Sequence, residues 1–218
     1  MILYIIRHGE TDWNKARKVQ GSVDIPLNAY GRHLAKGTAK GFEHIHFDLA
    51  FTSPLKRAKE TAEIILENKE TSLHMDERLR EISFGVYEGM NCSDNDSEQF
   101  WAFDKLFTKP EEYVAVEGES LEELTRRAGE FLDELKHKFQ GQEKQILIVT
   151  HGATLNALLN HAKGNHEIAN FWPRNVFPNC GVAVIRVEDG DYIIKEEGVV
   201  YHQEEVYNWE WEVSYREE

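Results

Sequence analysis

The stretch Met1-Ile2-Leu3-Tyr4-Ile5-Ile6-Arg7-His8-Gly9-Glu10 decides the fold, because its apolar run stops abruptly at Arg-His-Gly. β-Branched and aromatic residues without polar alternation are typical of a strand buried on both faces, as in the middle of a parallel sheet. In open α/β sheets, ligands bind beyond the carboxyl ends of the strands. We therefore expect Arg7 and His8 to lie at a ligand site, with Gly9 allowing a sharp turn and a close backbone approach to the ligand.

A second stretch has the same design. Ile146-Leu147-Ile148-Val149-Thr150-His151-Gly152 is again an apolar run that ends in His-Gly, and residues 153–162 are typical of a helix. Two parallel strands would bring His8 and His151 to one edge of the sheet. A histidine can also merely end a strand, but two of them, with Arg7 beside one, favour a shared site.

Length and composition predict one large α/β domain. The 218 residues are 41% hydrophobic and include five Trp and eleven Phe, which is enough for a sizeable core. We expect a single domain over residues 1–218, with a cap excursion over 90–117 and a C-terminal tail over 200–218. The net charge of -14 argues against nucleic-acid or anionic-membrane partners, but it allows a small anion in a locally basic pocket.

The location follows from cysteine usage and from the N-terminus. Cys92 and Cys180 are far apart and lie in no metal-ligand spacing, which indicates free thiols in a reducing compartment. The N-terminus lacks a signal-peptide pattern, and no apolar stretch approaches the roughly 18 residues of a membrane span. We expect a cytoplasmic protein. A homodimer is compatible with the sequence, which does not fix the oligomeric state.

Caps and periodicity predict the remaining elements. These are a helix from an Asn28 N-cap to about Phe42, a strand over 48–53, a helix over 55–67 with Pro54 in its first turn, a short strand over 72–76, a helix with Ser120 as N-cap, and a hairpin around Asp189-Gly190.

The cap excursion over 90–117 carries an aromatic cluster of Phe100, Trp101, Phe103 and Phe107. These rings either pack the excursion or form a partly apolar entrance to the site. The alternating aromatic and acidic residues of 206–213 are an edge strand, a flap or a partner surface.

Three further regions point to the site. The polar loop that follows the first strand and closes at Pro26 is expected to line it, which makes Gln20 and Gly21 candidates for substrate contacts. Arg57, on the first turn of a helix beside a strand end, predicts an anion site, although a lone helical Arg is usually solvated. Either Glu81 or Glu88 could serve as a buried working acid.

The chain resembles the histidine phosphatase superfamily, also called phosphoglycerate mutase-like, in motifs that occur in the family's order. They are Arg7-His8-Gly9-Glu10-Thr11, Ser53-Pro54-Leu55-Lys56-Arg57-Ala58, Leu79-Arg80-Glu81 before Gly85-Val86-Tyr87-Glu88-Gly89, Gly118-Glu119-Ser120, and Thr150-His151-Gly152. The resemblance covers nearly the whole chain. It implies a three-layer α/β/α sandwich on a mostly parallel sheet, with a catalytic pocket at the strand ends.

The resemblance also implies a role for each site residue. His8 would be the nucleophile that becomes transiently phosphorylated, and Arg7, Arg57 and His151 would surround the phosphoryl oxygens. Asn14 would be an additional phosphate contact, and Glu81 would protonate the leaving oxygen and then help to activate water. Such a site works without a metal or cofactor, since fixed positive charge and positioning are what phosphoryl transfer needs. His8 must be neutral to attack, and a backbone carbonyl accepting from its other ring nitrogen would fix the tautomer.

We expect a phosphatase that hydrolyses small organic phosphate monoesters. The family's mutases hold a second phosphate with basic residues of the cap. In this chain the only basic residues of 90–116 are Lys105 and Lys109. The alternatives are a cofactor-dependent phosphoglycerate mutase and a catalytically silent phospho-ligand binding module. A further alternative is a metal hydrolase whose metal ion is bound by His8, His151, Asp12 and Glu81.

Overall fold

The structure, a computed structural model, describes residues 1–93, 97–172 and 177–202. Six strands lie within these ranges: β1 (Ile2–Arg7), β2 (Leu49–Thr52), β3 (Leu73–Met75), β4 (Gln145–Thr150), β5 (Val182–Glu188) and β6 (Asp191–Val199). They form one sheet in the order β3-β2-β4-β1-β5-β6. The first four strands are parallel, and β5 and β6 continue the sheet in antiparallel fashion. The predicted mostly parallel sheet is confirmed.

Helices cover both faces of this sheet. The described helices are α1 (Asp12–Lys15), α2 (Ala29–Gly41), α3 (Lys56–Leu66), α4 (Glu98–Thr108), α5 (Leu121–Lys138) and α6 (Gly152–Ala162). One core cluster joins α5 and α6 to one face, and another joins α3 and the end of α2 to the opposite face. The expected three-layer α/β/α architecture is therefore confirmed.

Strand β1 shows why its sequence has no polar alternation. Leu3 and Ile5 pack into the core under α5 and α6, whereas Tyr4 and Ile6 pack into the core under α3. Successive strand side chains point to opposite faces, so a strand covered on both sides needs apolar residues at every position. Hydrogen bonding to β4 on one side and β5 on the other places β1 in the middle of the sheet.

Capping residues set the helix boundaries much as predicted. The Asn28 side chain accepts from the Gly31 N–H and begins α2, and Ser120 forms a capping box with Glu123 at the start of α5. The hairpin turn at Asp189 and Gly190 has positive φ at both residues, which suits a type I′ turn. Pro54 differs from the prediction: it precedes the N-cap of α3, and the first helical turn begins after it.

In its described residues, the region predicted as a cap contains α4 and one 3-10 turn, Pro110–Glu112. Phe103 of α4 packs edge-on against Phe84, with ring centroids 5.3 Å apart, and Phe100 is also buried. The Phe103 ring attaches α4 to the rest of the protein, whereas Phe107 lies against Trp172 with ring centroids 4.8 Å apart. The aromatic cluster therefore divides into packing residues and residues nearer the site.

The chain leaves β6 along the outer surface of α2. Tyr201 packs against Phe42, with ring centroids 4.5 Å apart. The expected tail motif at 206–213 lies outside the described residues. Among the described residues, no helix is both long and apolar enough to cross a membrane.

Candidate active site

His8 lies just beyond the carboxyl end of β1 and is 2% exposed. Its Nδ1 is 2.6 Å from the Gly9 carbonyl oxygen, which can only accept, so Nδ1 carries the proton and Nε2 holds a free lone pair. Burial, followed by the charges of Arg57 and Arg7, holds the pKa of His8 well below its usual value of 6.5. The side chain is therefore a neutral imidazole with a fixed tautomer.

His151, at the end of β4, lies beside His8 with ring centroids 5.1 Å apart. Arg57 Nε donates to His151 Nδ1 at 3.2 Å, so the proton of the neutral ring is on Nε2, which is 2.7 Å from Ser53 Oγ. Burial and the nearby Arg57 hold the pKa of His151 well below 6.5. Two parallel strand ends thus bring the two histidines together, as the sequence predicts.

Arg57 is completely buried, and its described hydrogen bonds all go to neutral groups. Besides the bond to His151, its terminal nitrogens donate to the carbonyls of Gly21 and Val23, each at 2.7 Å. Within the described part of the chain no carboxylate lies within ion-pair distance of it, and burial lowers the pKa of Arg57 to about 10. Its charge therefore remains available to an anion at the site.

Arg7 and Glu81 both lie close to Gly152, at the N-terminus of α6. A Cβ placed on Gly152 would be 3.7 Å from Arg7 Nε and 3.8 Å from Glu81 Oε2. The carboxylate accepts from the Ala153 and Thr154 N–H groups, at 3.2 and 3.1 Å. Arg7 Nε is buried and, among the described residues, has no hydrogen-bond partner. An unpaired buried guanidinium N–H is a donor that a phosphoryl oxygen would satisfy.

Backbone contacts hold the loop after His8. The Gly9 N–H donates to Thr61 Oγ1 at 3.1 Å, and Thr61 Oγ1 donates in turn to the Arg57 carbonyl at 2.7 Å. Gly9 is not among the glycines with positive φ. Its lack of a side chain is required because a Cβ there would lie 2.6 Å from the Gly31 carbonyl oxygen. The close approach is thus to α2, rather than the expected sharp turn toward a ligand.

A cavity of about 160 Å³ opens beside this cluster. Its described lining is Arg7, Asn14, Arg17, Lys18, Glu81, Phe84, Cys92, Phe107, Gly152, Ala153 and Trp172. Arg7 belongs both to the cavity wall and to the group of charges around His8. His8, Arg57 and His151 are not in this lining, and Arg7 is the residue that connects the cavity to them.

Asn14, Gln20 and Gly21, predicted to bind substrate, differ in their positions. Asn14 lines the cavity, and its side-chain oxygen lies 3.1 Å from the Thr11 N–H, so its amide NH₂ is the group that could meet a phosphate oxygen. Gln20 lies 2.9 Å from Thr11 Oγ1, and Gly21 offers its carbonyl to Arg57; neither lines the cavity. In this structure these two residues support the site, and their contact with substrate stays a prediction.

Glu88, the alternative acid, accepts hydrogen bonds from backbone N–H groups and connects two loops. Its Oε1 accepts from the Ser22 N–H at 2.7 Å and from the Phe84 N–H at 3.1 Å. It thereby joins the loop of Gly21 to the turn before α4. The geometry favours Glu81 as the acid of the site, because Glu81 lines the cavity beside Arg7.

Sequence reasoning missed several groups that complete the site. Thr61 lies four residues after Arg57 on the same face of α3, a spacing that could have indicated it. Ser53 stands in a quoted motif but received no role. Trp172 comes from a distant loop, and the carbonyls that bind Arg57 have no sequence signature.

The metal hydrolase alternative needs His8, His151, Asp12 and Glu81 to converge. Asp12 is exposed on α1, and among the described residues no three His, Cys, Asp or Glu side chains are grouped to hold a metal ion. The site is instead a cluster of buried nitrogen donors beside one carboxylate. Such a cluster binds tetrahedral oxyanions and stabilises charge on their oxygens.

Comparison with known families agrees with this geometry. Residues 3–199 match the family model described as histidine phosphatase superfamily (branch 1). The chain belongs to this superfamily. Branch 1 of the histidine phosphatases thus accounts for nearly all of the described fold, including the strands that carry His8 and His151.

Named relatives of this chain include both phosphatases and a mutase. It is 37% identical over 160 residues to the uncharacterized phosphatase PhoE of Bacillus subtilis, covering 73% of this chain and 76% of that protein. It is 32% identical to the putative phosphoserine phosphatase 2 of Hydrogenobacter thermophilus, covering 85% and 89%. It is 34% identical to the probable phosphoglycerate mutase GpmB of Escherichia coli, covering 74% of each.

Solved structures share the architecture. YhfR of Bacillus stearothermophilus superposes with a TM-score of 0.84 at 33% identity, covering 92% of this chain and 98% of that one. The alpha-ribazole phosphatase of Shigella flexneri superposes with a TM-score of 0.80 at 25% identity, covering 91% and 96%. The phosphoglycerate mutase-like fold expected from the sequence is confirmed.

Proposed function

We propose that this protein is a metal-independent phosphatase that hydrolyses small organic phosphate monoesters through a phosphohistidine formed on His8. The observation that carries the proposal is the hydrogen bond from His8 Nδ1 to the Gly9 carbonyl, 2.6 Å long, within a group of buried cations. It leaves Nε2 unprotonated and fixed in direction. A nucleophile of this kind needs no further base to remove a proton.

The surrounding charges suit the transferring group. Arg57 and Arg7 supply fixed positive charge, and the unpaired Arg7 Nε supplies a donor. His151 Nε2, which lies 2.7 Å from Ser53 Oγ at rest, would donate to a phosphoryl oxygen in place of that hydroxyl. Most of the catalysis of phosphoryl transfer comes from such positioning and charge stabilisation.

The reaction proceeds in two displacements. His8 Nε2 attacks phosphorus, the P–O bond to the alcohol breaks, and protonated Glu81 gives its proton to the leaving oxygen. A water molecule then attacks the phosphohistidine while the Glu81 carboxylate accepts a proton from it. Inorganic phosphate and free His8 are the products, and Glu81 returns to its protonated form.

The cap favours hydrolysis over mutase action. Lys105 and Lys109 pair with Glu112 at 3.0 and 3.2 Å, and neither lines the cavity. The names PhoE and phosphoserine phosphatase support hydrolysis, whereas the relative named GpmB supports phosphoglycerate mutase as the second candidate.

The test is hydrolysis of an aryl phosphate and a panel of metabolite monoesters, with and without chelator. We expect chelator-resistant turnover by the wild type and none by His8→Ala. The matched control is His33→Ala, because His33 is exposed and does not line the cavity. Quenching with alkaline detergent during turnover should trap a phosphoprotein in the wild type only, and later acidification should release its phosphate.

Other outcomes would contradict the proposal. Activity that chelator removes would indicate a metal hydrolase. Interconversion of 3- and 2-phosphoglycerate that outpaces hydrolysis would indicate a mutase. Tight phosphate binding without turnover of any substrate would indicate a silent binding module.

A further inference from the structure

A peptide group joins His8 to Gly9, and a side chain holds each of its two polar groups. The Gly9 N–H donates to Thr61 Oγ1 at 3.1 Å, and the His8 carbonyl accepts from Asn179 Nδ2 at 3.0 Å. Thr61 lies on α3, whereas Asn179 lies on the loop before β5. Because a peptide group is planar, fixing both its carbonyl and its N–H fixes the plane.

The plane of this peptide matters because the next carbonyl selects the tautomer of the nucleophile. His8 Nδ1 lies 2.6 Å from the Gly9 carbonyl oxygen. Glycine has more backbone freedom than any other residue, so contacts of the neighbouring groups have to set the direction of this carbonyl. The hydrogen bonds of Thr61 and Asn179 restrict the peptide on which that direction depends.

Asn179 is the second residue of a tight turn, which the Gly181 N–H closes by donating to the Pro178 carbonyl at 2.9 Å. Cys180, the third residue, has a φ of 56°, whereas Asn179 is not among the residues with positive φ. Turns with positive φ at the third residue favour glycine or asparagine there. The chain instead has cysteine at that position and asparagine one residue earlier. The turn itself therefore does not explain Asn179, and the contact with the His8 carbonyl does.

The turn is fixed to the strand that carries the nucleophile. The Cys180 N–H donates to the Arg7 carbonyl at 3.1 Å, and the Arg7 N–H donates to the Gly181 carbonyl at 3.0 Å. The Cys180 side chain is completely buried and packs against α2. Asn179 thus extends from a rigid support, so its amide loses little freedom when it binds the carbonyl.

The contact requires an N–H donor. A backbone carbonyl oxygen can only accept, so the NH₂ of the Asn179 amide, rather than its oxygen, faces His8. The Cys180 N–H also donates to this oxygen at 3.3 Å, but it is shared with the Arg7 carbonyl. Asn179 does not line the described cavity, so it affects the reaction through the backbone of His8 and not by touching substrate.

We propose that Asn179 is a positioning residue for the nucleophile: its amide holds the His8 carbonyl, and the fixed peptide directs the Gly9 carbonyl to His8 Nδ1. Nε2 is thereby kept unprotonated and fixed in direction for attack on phosphorus. This inference rests on the proposed function, because it concerns the nucleophile of the same reaction. The competing interpretation is that Asn179 stabilises its turn alone.

The test measures the rate of phosphohistidine formation in Asn179→Ala, by rapid mixing with an aryl phosphate and quenching in alkaline detergent. We expect a loss of about tenfold, because the variant lacks one hydrogen bond that holds the reactive geometry. The inhibition constant of inorganic phosphate should change by less than about threefold, because the cations of the site are untouched.

Nitrogen NMR of the histidine rings gives a readout that a weaker turn alone would not move. Protonated and unprotonated ring nitrogens have distinct chemical shifts, and the signals of His8 are assigned by their absence in His8→Ala. We expect the proton on Nδ1 in the wild type, and part of the population in the Nε2–H tautomer in Asn179→Ala. Asn179→Ser should behave in the same way, since serine is common in turns but its hydroxyl is one bond shorter than the amide.

Asn165→Ala is the matched control. Asn165 Nδ2 donates to the Asn170 carbonyl at 2.9 Å, so this variant also loses a side-chain bond to a backbone carbonyl, and Asn165 does not line the cavity. It should keep the wild-type rate and tautomer. A rate in Asn179→Ala within about threefold of this control would overturn the proposal. An unchanged His8 tautomer in both Asn179 variants would overturn it as well.

The two proposals fail differently. If His8→Ala abolishes the phosphohistidine and Asn179→Ala matches its control, the phosphatase proposal stands and the positioning role fails. If the wild type forms no phosphohistidine, the proposed function fails. The tautomer of His8 in the Asn179 variants then still decides whether the amide orients the ring.

Discussion

Replacing Arg57 by methionine removes a buried charge from the site and keeps an unbranched side chain in its place. Burial lowers the pKa of Arg57 from 12.5 to about 10. At about 1.4 kcal/mol per pKa unit, the folded state disfavours this cation by about 3 kcal/mol. The protein therefore keeps the charge at a cost to its stability.

The same substitution also removes three hydrogen bonds. The acceptors left behind are the Gly21 and Val23 carbonyls and His151 Nδ1. Each buried acceptor left unpaired costs about 1 kcal/mol, which sums to about 3 kcal/mol. The two effects nearly cancel, so we expect the free energy of unfolding of Arg57→Met to lie within about 2 kcal/mol of the wild-type value.

Activity should respond very differently. Loss of one fixed donor to a developing oxyanion lowers kcat about 100- to 1000-fold. Urea unfolding and aryl phosphate kinetics on the same preparations measure both effects, and Arg57→Ala, which also leaves a cavity, should be less stable by at least a further ~2 kcal/mol. An Arg57→Met protein that unfolds below 1 M urea, or that keeps activity within tenfold, would refute this reasoning.

Three further predictions concern the acid, the nucleophile loop and pH. Glu81→Gln should slow hydrolysis of alkyl phosphates about 100-fold or more, but that of aryl phosphates much less, because only poor leaving groups need its proton. Steady-state rates on both esters measure this, and equal losses on the two would contradict it. Thr61→Val leaves the Gly9 N–H unpaired, so kcat should fall about tenfold with KM little changed, and Thr61→Ser should restore it. His8 and His151 have folded-state pKa values below those of the unfolded chain, so their contribution to stability is complete above about pH 6.5 and lost as pH falls. The free energy of unfolding, measured with urea at pH 7, 6 and 5, should fall with decreasing pH by an amount that approaches about 3 kcal/mol per pH unit. This slope should be roughly halved in His8→Asn, and an unchanged slope in that variant would contradict the prediction.

Much of the fold could be predicted because the residue pattern of each segment agrees with the place that the segment takes in the fold. The uninterrupted apolar run of β1 required burial on both faces, and the structure places it between β4 and β5 with a core on each side. Asn28 and Ser120 marked helix starts through side-chain oxygens that accept from backbone N–H groups. Pro54 was misplaced because proline is compatible with positions just before a helix as well as inside its first turn.

The site was predictable where its chemistry lies in side chains at strand ends. His8 and His151 follow two apolar strands, and parallel pairing alone brings them to one edge. Gln20 and Gly21 were harder to interpret, because Gly21 acts through its carbonyl and Gln20 through a contact with Thr11. Backbone groups are the same in every residue, so no sequence pattern identifies the ones that hold Arg57.

Arg17 lies on the loop that was expected to line the site, whereas the meeting of Trp172 and Arg17 in one cavity could not be predicted. Their place in the cavity depends on the packing of α4 and on a left-handed backbone at Arg17. Neither follows from periodicity, and arginine gives no hint of positive φ. Only the assembled loops show that these side chains share a wall.

The central position of β1 has a consequence for biosynthesis. Its partners are β4 and β5, which begin at Gln145 and Val182. A nascent chain emerges from the ribosome N-terminus first, so β1 is made long before either partner exists. Strand β1 can pair only after more than a hundred further residues have been translated. His8 cannot acquire its buried surroundings until then. Premature release of the chain would yield a polypeptide that contains the nucleophile but has no active site.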